Sequence, residues 1–395
     1  MLKILTAGES HGPALTGIIE GLPSGLNISI SDINQQLQRR QAGYGRGGRM
    51  IIESDQIEVL SGIRYGCTIG SPISFVIRNK DHDNWEKIMP IESMETEATA
   101  AVTRPRPGHA DLAGAIKYRH KDIRNVLERA SARETAARVA IGAICRQLLA
   151  NFSIHIYSQV IAIGTVMTEP LAMNRDNHLT NMELIDKSPV RCGNPTAAEE
   201  MTIQIDTAKN AGESLGGVFE TGALGLPPGL GSYSSWEQRL DARLTALIMG
   251  IPAIKGVEIG EGIANAFLPG SQAHDEIRLS ANNTIYRSSN RAGGIEGGVS
   301  NGAALWLRAY MKPIPTLYKP LTSVNIQEWK EEKAGVERSD ICAVPAAAVI
   351  SEAMLAIGLA QAWTEKFGHD TIAEMQTAFL NYKNYLMKEW KWEKI

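Results

Sequence analysis

The chain is short of cysteine, aromatics and net charge, and each shortage removes a class of protein. Four cysteines, Cys67, Cys145, Cys192 and Cys342, are scattered over 395 residues with no CxxC pair. That spacing fits reduced thiols better than a disulfide frame or a zinc site, and no metal is expected. Aromatic residues make up 6% of a chain that is 44% hydrophobic. Gly and Ala fill the gap, so close backbone packing and tight turns should be frequent. The 40 Lys+Arg stand against 43 Asp+Glu, a formal charge of −3, which argues against a general nucleic-acid binder. The apolar run at the N-terminus is too short for a signal peptide. No stretch reads as the roughly 20 apolar residues of a membrane span. A soluble, cytoplasmic protein without a membrane partner is expected. Neither GxxxxGK[ST] nor a strand-turn GxGxxG occurs, so a nucleotide kinase and an ordinary dinucleotide fold find no support.

What is present is a repeated turn. Ala7-Gly8-Glu9-Ser10-His11-Gly12 returns as Ala211-Gly212-Glu213-Ser214-Leu215-Gly216, and Gly21-Leu22-Pro23 returns as Gly225-Leu226-Pro227. Residues 7–26 and 211–230 are identical at ten of twenty positions, at a constant offset of 204. Only the first copy carries an imidazole, the group that most readily moves a proton near neutral pH. Both copies should build one kind of turn while the first alone does chemistry. No Pro/Ser-rich linker divides the chain, so residues 1–395 read as a single domain with an internal pseudo-repeat.

Local patterns give the elements. Leu2 to Leu5 reads as a short buried strand. Ser31 is the expected N-cap of a helix that buries Ile33, Leu37 and possibly Arg40 on one face. Met50 to Leu60 alternates like a strand, and Lys80 to Trp85 is a polar loop, in which the spacing of His82 with Asp81 and Asp83 is too non-specific to signal a metal. Residues 128–150 form the clearest helix, with Ala136, Val139, Ala140, Ala143, Ile144 and Leu148 at 3-4 spacing. Strands are expected near Ser153–Ile163, Met201–Asp206, Lys255–Ile259 and Ala303–Tyr310, and a helix over Trp236–Ile248. Pro345 opens a final helix, Ala346–Ala362, apolar nearly all round and therefore interior.

Arginine recurs in glycine or proline settings: Arg40, Arg46 and Arg49, then Arg104 and Arg106, Arg129 and Arg133, Arg291, and Arg338. Guanidinium forks bind phosphate and carboxylate bidentately, and glycine lets backbone N–H groups approach the same anion. A small, highly anionic ligand is expected. Arg129 and Arg133, at i and i+4 beside Ser131, should present donors on one helical face. His11 and His109 lie in rigid turns near arginines, suited to acid catalysis. Asp340 is either a helix cap or a base. The rival readings are an RGG-type RNA-binding segment at 43–49 and a flavin oxidoreductase.

Gly8-Glu9-Ser10-His11-Gly12, Ser131-Ala132-Arg133-Glu134-Thr135 and Arg338-Ser339-Asp340 before an Ala-rich helix resemble the chorismate synthase family. Arg39-Arg40-Gln41, Gly45-Arg46-Gly47, Arg104 through Asp111 and Lys312-Pro313-Ile314-Pro315-Thr316 extend that resemblance in the family's order. It implies an α+β fold, a β-α-β sandwich with helices packed between sheets, assembled as a homotetramer. It also implies a lyase that converts 5-enolpyruvylshikimate 3-phosphate to chorismate by 1,4-anti elimination of phosphate and a C6 hydrogen. Reduced FMN is needed although no net oxidation occurs. By that resemblance Ser10, Arg40, Arg46, Arg106, Arg133 and Arg338 clamp the substrate. His11 protonates the departing phosphate, His109 the reduced flavin, and Asp340 helps remove the C6 proton. Arg129, Ala130, Ser131, Pro252, Ala253, Gly297, Gly298, Lys312, Pro313, Ile314, Pro315, Thr316 and Arg338 would line FMN. Ala130 replaces a serine common in the motif, and Pro252 stands where many members have Asn. Some members reduce their own flavin with NADPH, to which Arg40 and Arg46 are sometimes assigned; others depend on a separate flavin reductase.

Overall fold

The computed structural model describes residues 2–47, 54–92, 101–337 and 339–392. It mixes helices with two main antiparallel sheets, an α+β architecture. The first sheet orders its strands as Lys3–Ala7, Ala14–Glu20, Ile73–Arg78 and Glu58–Ser61. The second runs Ile254–Ile259, Leu305–Met311, Gly217–Leu224, His155–Ile163 and Val166–Met167.

In both sheets the strand that runs into the Gly-Leu-Pro turn is interior and antiparallel to both neighbours. Leu15 pairs with Ile77 in the first, and Phe219 with Ala309 in the second. Ile4 faces Ile19 just as Ile156 faces Ala223. After each central strand, Gly21 and Gly225 take φ of 92° and 88°, and Gly25 and Gly229 take 81° and 95°. These left-handed values suit glycine and explain why it stands at both places. Thr68 Oγ1 accepts from Leu26 N and donates to Pro23 O. Ser300 Oγ accepts from Leu230 N and donates to Pro227 O in the same way. The copies differ upstream: a strand feeds the first turn, whereas the Pro195–Ala211 helix feeds the second.

One continuous core runs from Leu2 to Phe379. The Thr135–Ala150 helix packs on the Val344–Phe367 helix and on the Ala14–Glu20 strand. The Val344–Phe367 helix in turn covers His155–Ile163 and Gly217–Leu224. A Cβ on Gly142 would lie 2.3 Å from Ala353 Cβ, so the two helices meet backbone to backbone.

Several expectations are corrected. The first helix is Ile30–Gln41, capped by Ser29 rather than Ser31, although Ile33, Leu37 and Arg40 are its buried face. Leu5 is exposed, because its strand alternates. Only Glu58–Ser61 of the 50–60 segment pairs as a strand, its first residues lying outside those described. The 80–85 loop contains a 3-10 turn, Lys80–Asn84. The helix expected over 128–150 is broken: Arg124–Arg129 ends at Ala130, and a 3-10 turn precedes Thr135–Ala150. Arg129 and Arg133 therefore do not share a helical face. Met201–Asp206 lies within the Pro195–Ala211 helix, where Met201, Ile205 and Ala208 are buried at 3-4 spacing. The last core helix extends to Phe367 and is, by length and composition, long and apolar enough to cross a membrane, yet it lies buried in the core. A further helix, Ile372–Trp390, follows it.

That core helix carries a buried carboxylate, Glu352. Its oxygens accept from Arg39 Nη1 at 2.7 Å, Arg146 Nη1 at 2.7 Å, Arg191 Nη2 at 3.1 Å and Ser158 Oγ at 2.7 Å. Burial opposes the ionised form, but the three guanidinium groups outweigh it and hold Glu352 well below the usual carboxylate range. A depressed folded-state pKa stabilises the fold above the unfolded value, and that contribution is lost as pH falls through the carboxylate range. In urea unfolding from pH 7 down to 3, Glu352→Gln should start less stable and lose less on acidification. Parallel curves for the two proteins would show that this cluster contributes nothing to acid sensitivity.

Candidate active site

The second sheet's loops and the first repeat turn converge on a cavity of about 860 Å³, near the upper end of the ~300–1,000 Å³ typical of ligand pockets. Its walls include Ser10, His11, Arg40, Arg46, Arg106, His109, Arg133, Lys312 and Asp340.

The turn is anchored from beneath. Ser10 N donates to Glu128 O at 3.0 Å. Asn79 Nδ2 donates to Glu9 O and Gly12 O, while its Oδ1 accepts from Arg133 Nε at 2.9 Å. His11 Nδ1 lies 2.8 and 3.0 Å from the two oxygens of Glu128. Trp85 stacks on the imidazole with centroids 3.8 Å apart.

Behind that wall Asp55, fully buried, accepts two bonds from Arg133 Nη1 at 2.6 and 2.7 Å. The same carboxylate is 3.6 Å from Arg40 Nη1. Arg40 Nε donates to Thr135 Oγ1 and Nη2 to Ala132 O, but buried Nη1 has no hydrogen-bond partner among the described residues. Burial lowers the Arg40 pKa to about 10; Asp55 resists this, while Arg46 and Arg133 push the same way. Positive charge is crowded here, and Arg40 Nη1 has only the 3.6 Å ion pair with Asp55 among the described residues, an arrangement suited to an anionic ligand.

Opposite, Asp340 accepts from Arg46 Nη1 and from Gly47 N, both at 2.6 Å. Asp340 is not the cap of the following helix, which is Ala343, with no side-chain bond. Asp111 opens the Asp111–Tyr118 helix and binds His109 Nδ1 at 2.5 Å and Arg106 Nε at 2.8 Å. Burial alone would raise this carboxyl, but the bonds from His109 and Arg106 hold it well below the usual range. Arg106 Nη1 also reaches Thr316 Oγ1 at 3.0 Å. Lys312 Nζ donates to Gly108 O, and its N–H to Ala253 O. Burial, then Lys255, lowers the Lys312 pKa. Ala253 takes φ of 68°, a left-handed conformation that an alanine holds only under constraint.

Of the residues expected at the site, Ser10, His11, Arg40, Arg46, Arg106, His109, Arg133 and Asp340 come together on this cavity. So do Ala130, Ser131, Pro252, Ala253, Lys312, Ile314, Pro315 and Thr316. Arg129 instead lies half-exposed against Thr6 O and Gly8 O, and Pro313 is not in the lining. Gly297 and Gly298 sit in a hairpin turn away from it, Gly298 packing on Arg239. Arg49 and Arg338 are outside the described residues. Sequence reasoning missed Asp55, Asn79, Trp85, Glu128 and Thr135; Asp111 was in view, two residues after His109, without a role.

A family model described as chorismate synthase matches residues 2–364. A chorismate synthase of Syntrophomonas wolfei is 57% identical over 395 residues, all of both chains. One from Aquifex aeolicus is 52% identical over 98% of each chain. A solved structure described as the crystal structure of chorismate synthase is similar with a TM-score of 0.79, at 43% identity over 98% of each chain.

Proposed function

The chain belongs to the chorismate synthase family, and from that premise we propose that the arginine-walled cavity carries out the family's reaction. That reaction makes chorismate and phosphate from 5-enolpyruvylshikimate 3-phosphate, a step toward the aromatic amino acids. The observation that carries the assignment is the gathering of Arg40, Arg46 and Arg133 on one cavity wall, with buried Arg40 Nη1 making no hydrogen bond among the described residues. Such a cluster suits a ligand with one phosphate and two carboxylates.

Arg40, Arg46 and Arg106 bind the anionic groups and fix the ring. Arg133 acts mainly by holding the wall through Asp55 and Asn79. His11 donates a proton to the phosphate oxygen as the C3–O bond breaks, and Asp340 faces the C6 proton that must leave. Both Asp340 oxygens accept bonds from Arg46 and Gly47, so its direction is set before substrate arrives. Reduced FMN bound here would supply electron density to the elimination. The lining fits such a group: Lys312 and Thr316 offer donors to a phosphate or ring edge, and Ala346 and Ala347 leave space. Ala130, Ser131, Pro252, Ala253, Ile314 and Pro315 complete the flavin wall, and His109 is the proton source at the flavin. The replacements Ala130 and Pro252 leave backbone contact possible.

We read the two antiparallel sheets as halves of a β-α-β sandwich in one 395-residue domain. A homotetramer, cytoplasmic location and flavin reduction by NADPH or a separate reductase belong to the same reading.

Arg46→Ala should raise the substrate KM roughly 10- to 150-fold, the equivalent of one charge-assisted bond of about 1.5–3 kcal/mol. Arg46→Lys should recover part, since a point charge lacks the bidentate fork. An unchanged KM in the alanine variant would remove Arg46 from the substrate clamp.

A further inference from the structure

We infer that Glu128 and Trp85 are positioning residues that fix the tautomer and aim of His11, so that its proton is delivered through Nε2. The inference rests on the acid role given to His11 above. Glu128 has a fully buried side chain, and both of its oxygens lie within 3.0 Å of Nδ1. Oε2 also accepts the His11 backbone N–H at 2.9 Å, so side chain and main chain are held by one carboxylate. An ionised carboxylate only accepts hydrogen bonds. Nδ1 must therefore carry a proton in every productive state, and exchange with a ligand is left to Nε2.

Trp85 limits the remaining freedom. Its indole lies 3.8 Å from the imidazole and 16° from parallel to it, which blocks the ring from tilting toward that side. Arg124 stands 5.3 Å over the same indole and 3.5 Å from Glu128 Oε1, linking the two restraints. His82 Nδ1 donates to His11 O at 3.0 Å, closing the 80–85 segment over the turn. In the other imidazole–carboxylate pair Asp111 also accepts a hydrogen bond from Arg106 Nε at 2.8 Å, whereas Arg124 makes only a 3.5 Å ion pair with Glu128. The second repeat turn has neither device: Leu215 N donates to Ile341 O, and no ring stands there to be aimed.

The test is a double-mutant cycle on the full chain with chemically reduced FMN and 5-enolpyruvylshikimate 3-phosphate. Glu128→Gln keeps the shape but removes the charge, so its amide no longer demands a proton on Nδ1. Alone it should lower kcat roughly 10- to 100-fold, less than the ~10²–10⁴ of losing a general acid outright, with KM within about threefold. In a His11→Ala background the same change should alter kcat by less than about twofold, since there is no ring left to orient. Trp85→Ala should follow the same pattern, and Trp85→Phe should restore most of the rate. Equal losses in both backgrounds, or full turnover of Glu128→Gln beside an impaired His11→Ala, would overturn the positioning role. Full turnover of His11→Ala would instead overturn the acid reading beneath it. Should Glu128→Gln fail to fold, ¹⁵N-histidine NMR of the wild-type chain decides: an Nδ1–H neutral tautomer at His11 is expected, and an Nε2–H tautomer refutes the inference.

Discussion

His11→Ala should cut turnover per folded molecule by roughly 10²–10⁴-fold, the range of a lost general acid, whatever stability it costs. The imidazole, with its side chain 14% exposed, stacks on Trp85 and pairs with buried Glu128, so alanine also forfeits some stability. On the proposed assignment, what goes is a proton donor held by Glu128 and Trp85. The paired substitution is Leu215→Ala in the second turn. Leu215 is half-buried against the core, so it should cost less than the ~2–5 kcal/mol of a fully buried leucine and leave turnover per folded molecule unchanged. Phosphate release and thermal unfolding on the same samples separate a shared scaffold from a shared function. Wild-type turnover in His11→Ala would leave the repeat as architecture alone.

Asp55→Ala should have the largest effect on stability, about 3–5 kcal/mol, the usual cost of removing one partner from a buried ion pair. Asp55 is the carboxylate bonded to Arg133 and nearest to Arg40, both themselves buried. Without it two guanidinium groups face each other in a low-dielectric wall. Asp55→Asn should lose a similar share, because the shape remains and the charge does not. Urea unfolding measures both. A high concentration of phosphate or substrate should restore part of the loss by supplying the missing negative charge. Stability equal to wild type in both variants would mean that the arginines find compensation elsewhere.

Local physics made much of the frame readable in the sequence. Ile33, Leu37 and Arg40 share one face because they recur at helical spacing, and the Lys255–Ile259 and Ala303–Tyr310 strands follow from alternation. The offset between the two Ala-Gly-Glu-Ser turns also carries Leu15 of one sheet's interior strand onto Phe219 of the other's. Met201–Asp206 was misread because a six-residue window of Met, Ile and Ile satisfies both periods. Asn194 and Pro195, an N-cap and a first-turn proline, were the helix signals that settle it. The broken helix at Ala130 had no punctuating glycine or proline to reveal it.

The carboxylates behind the site were hidden for a different reason. Glu128 meets His11 across 117 positions and Asp55 meets Arg133 across 78. Neither partner lies within a helical turn or a strand pair of the other, so no spacing rule applies. Asp111 is the exception, since His109-Ala110-Asp111 is a local pattern that pairs an imidazole with an acid. Arginines stood out in their glycine and proline settings, but the acids that hold them did not. Arg133, expected in the substrate clamp, lines the cavity and also pairs with Asp55 behind it.

The central claim is that this cavity eliminates phosphate from an enolpyruvyl substrate with help from a reduced flavin. The most direct measurement is phosphate and chorismate formation by the purified chain from 5-enolpyruvylshikimate 3-phosphate. It is run without oxygen on chemically reduced FMN, and again on oxidised FMN in air. Equimolar phosphate and chorismate with reduced FMN, and neither with oxidised FMN, is the predicted result. Equal turnover under both conditions, or no phosphate with the reduced flavin, would contradict it.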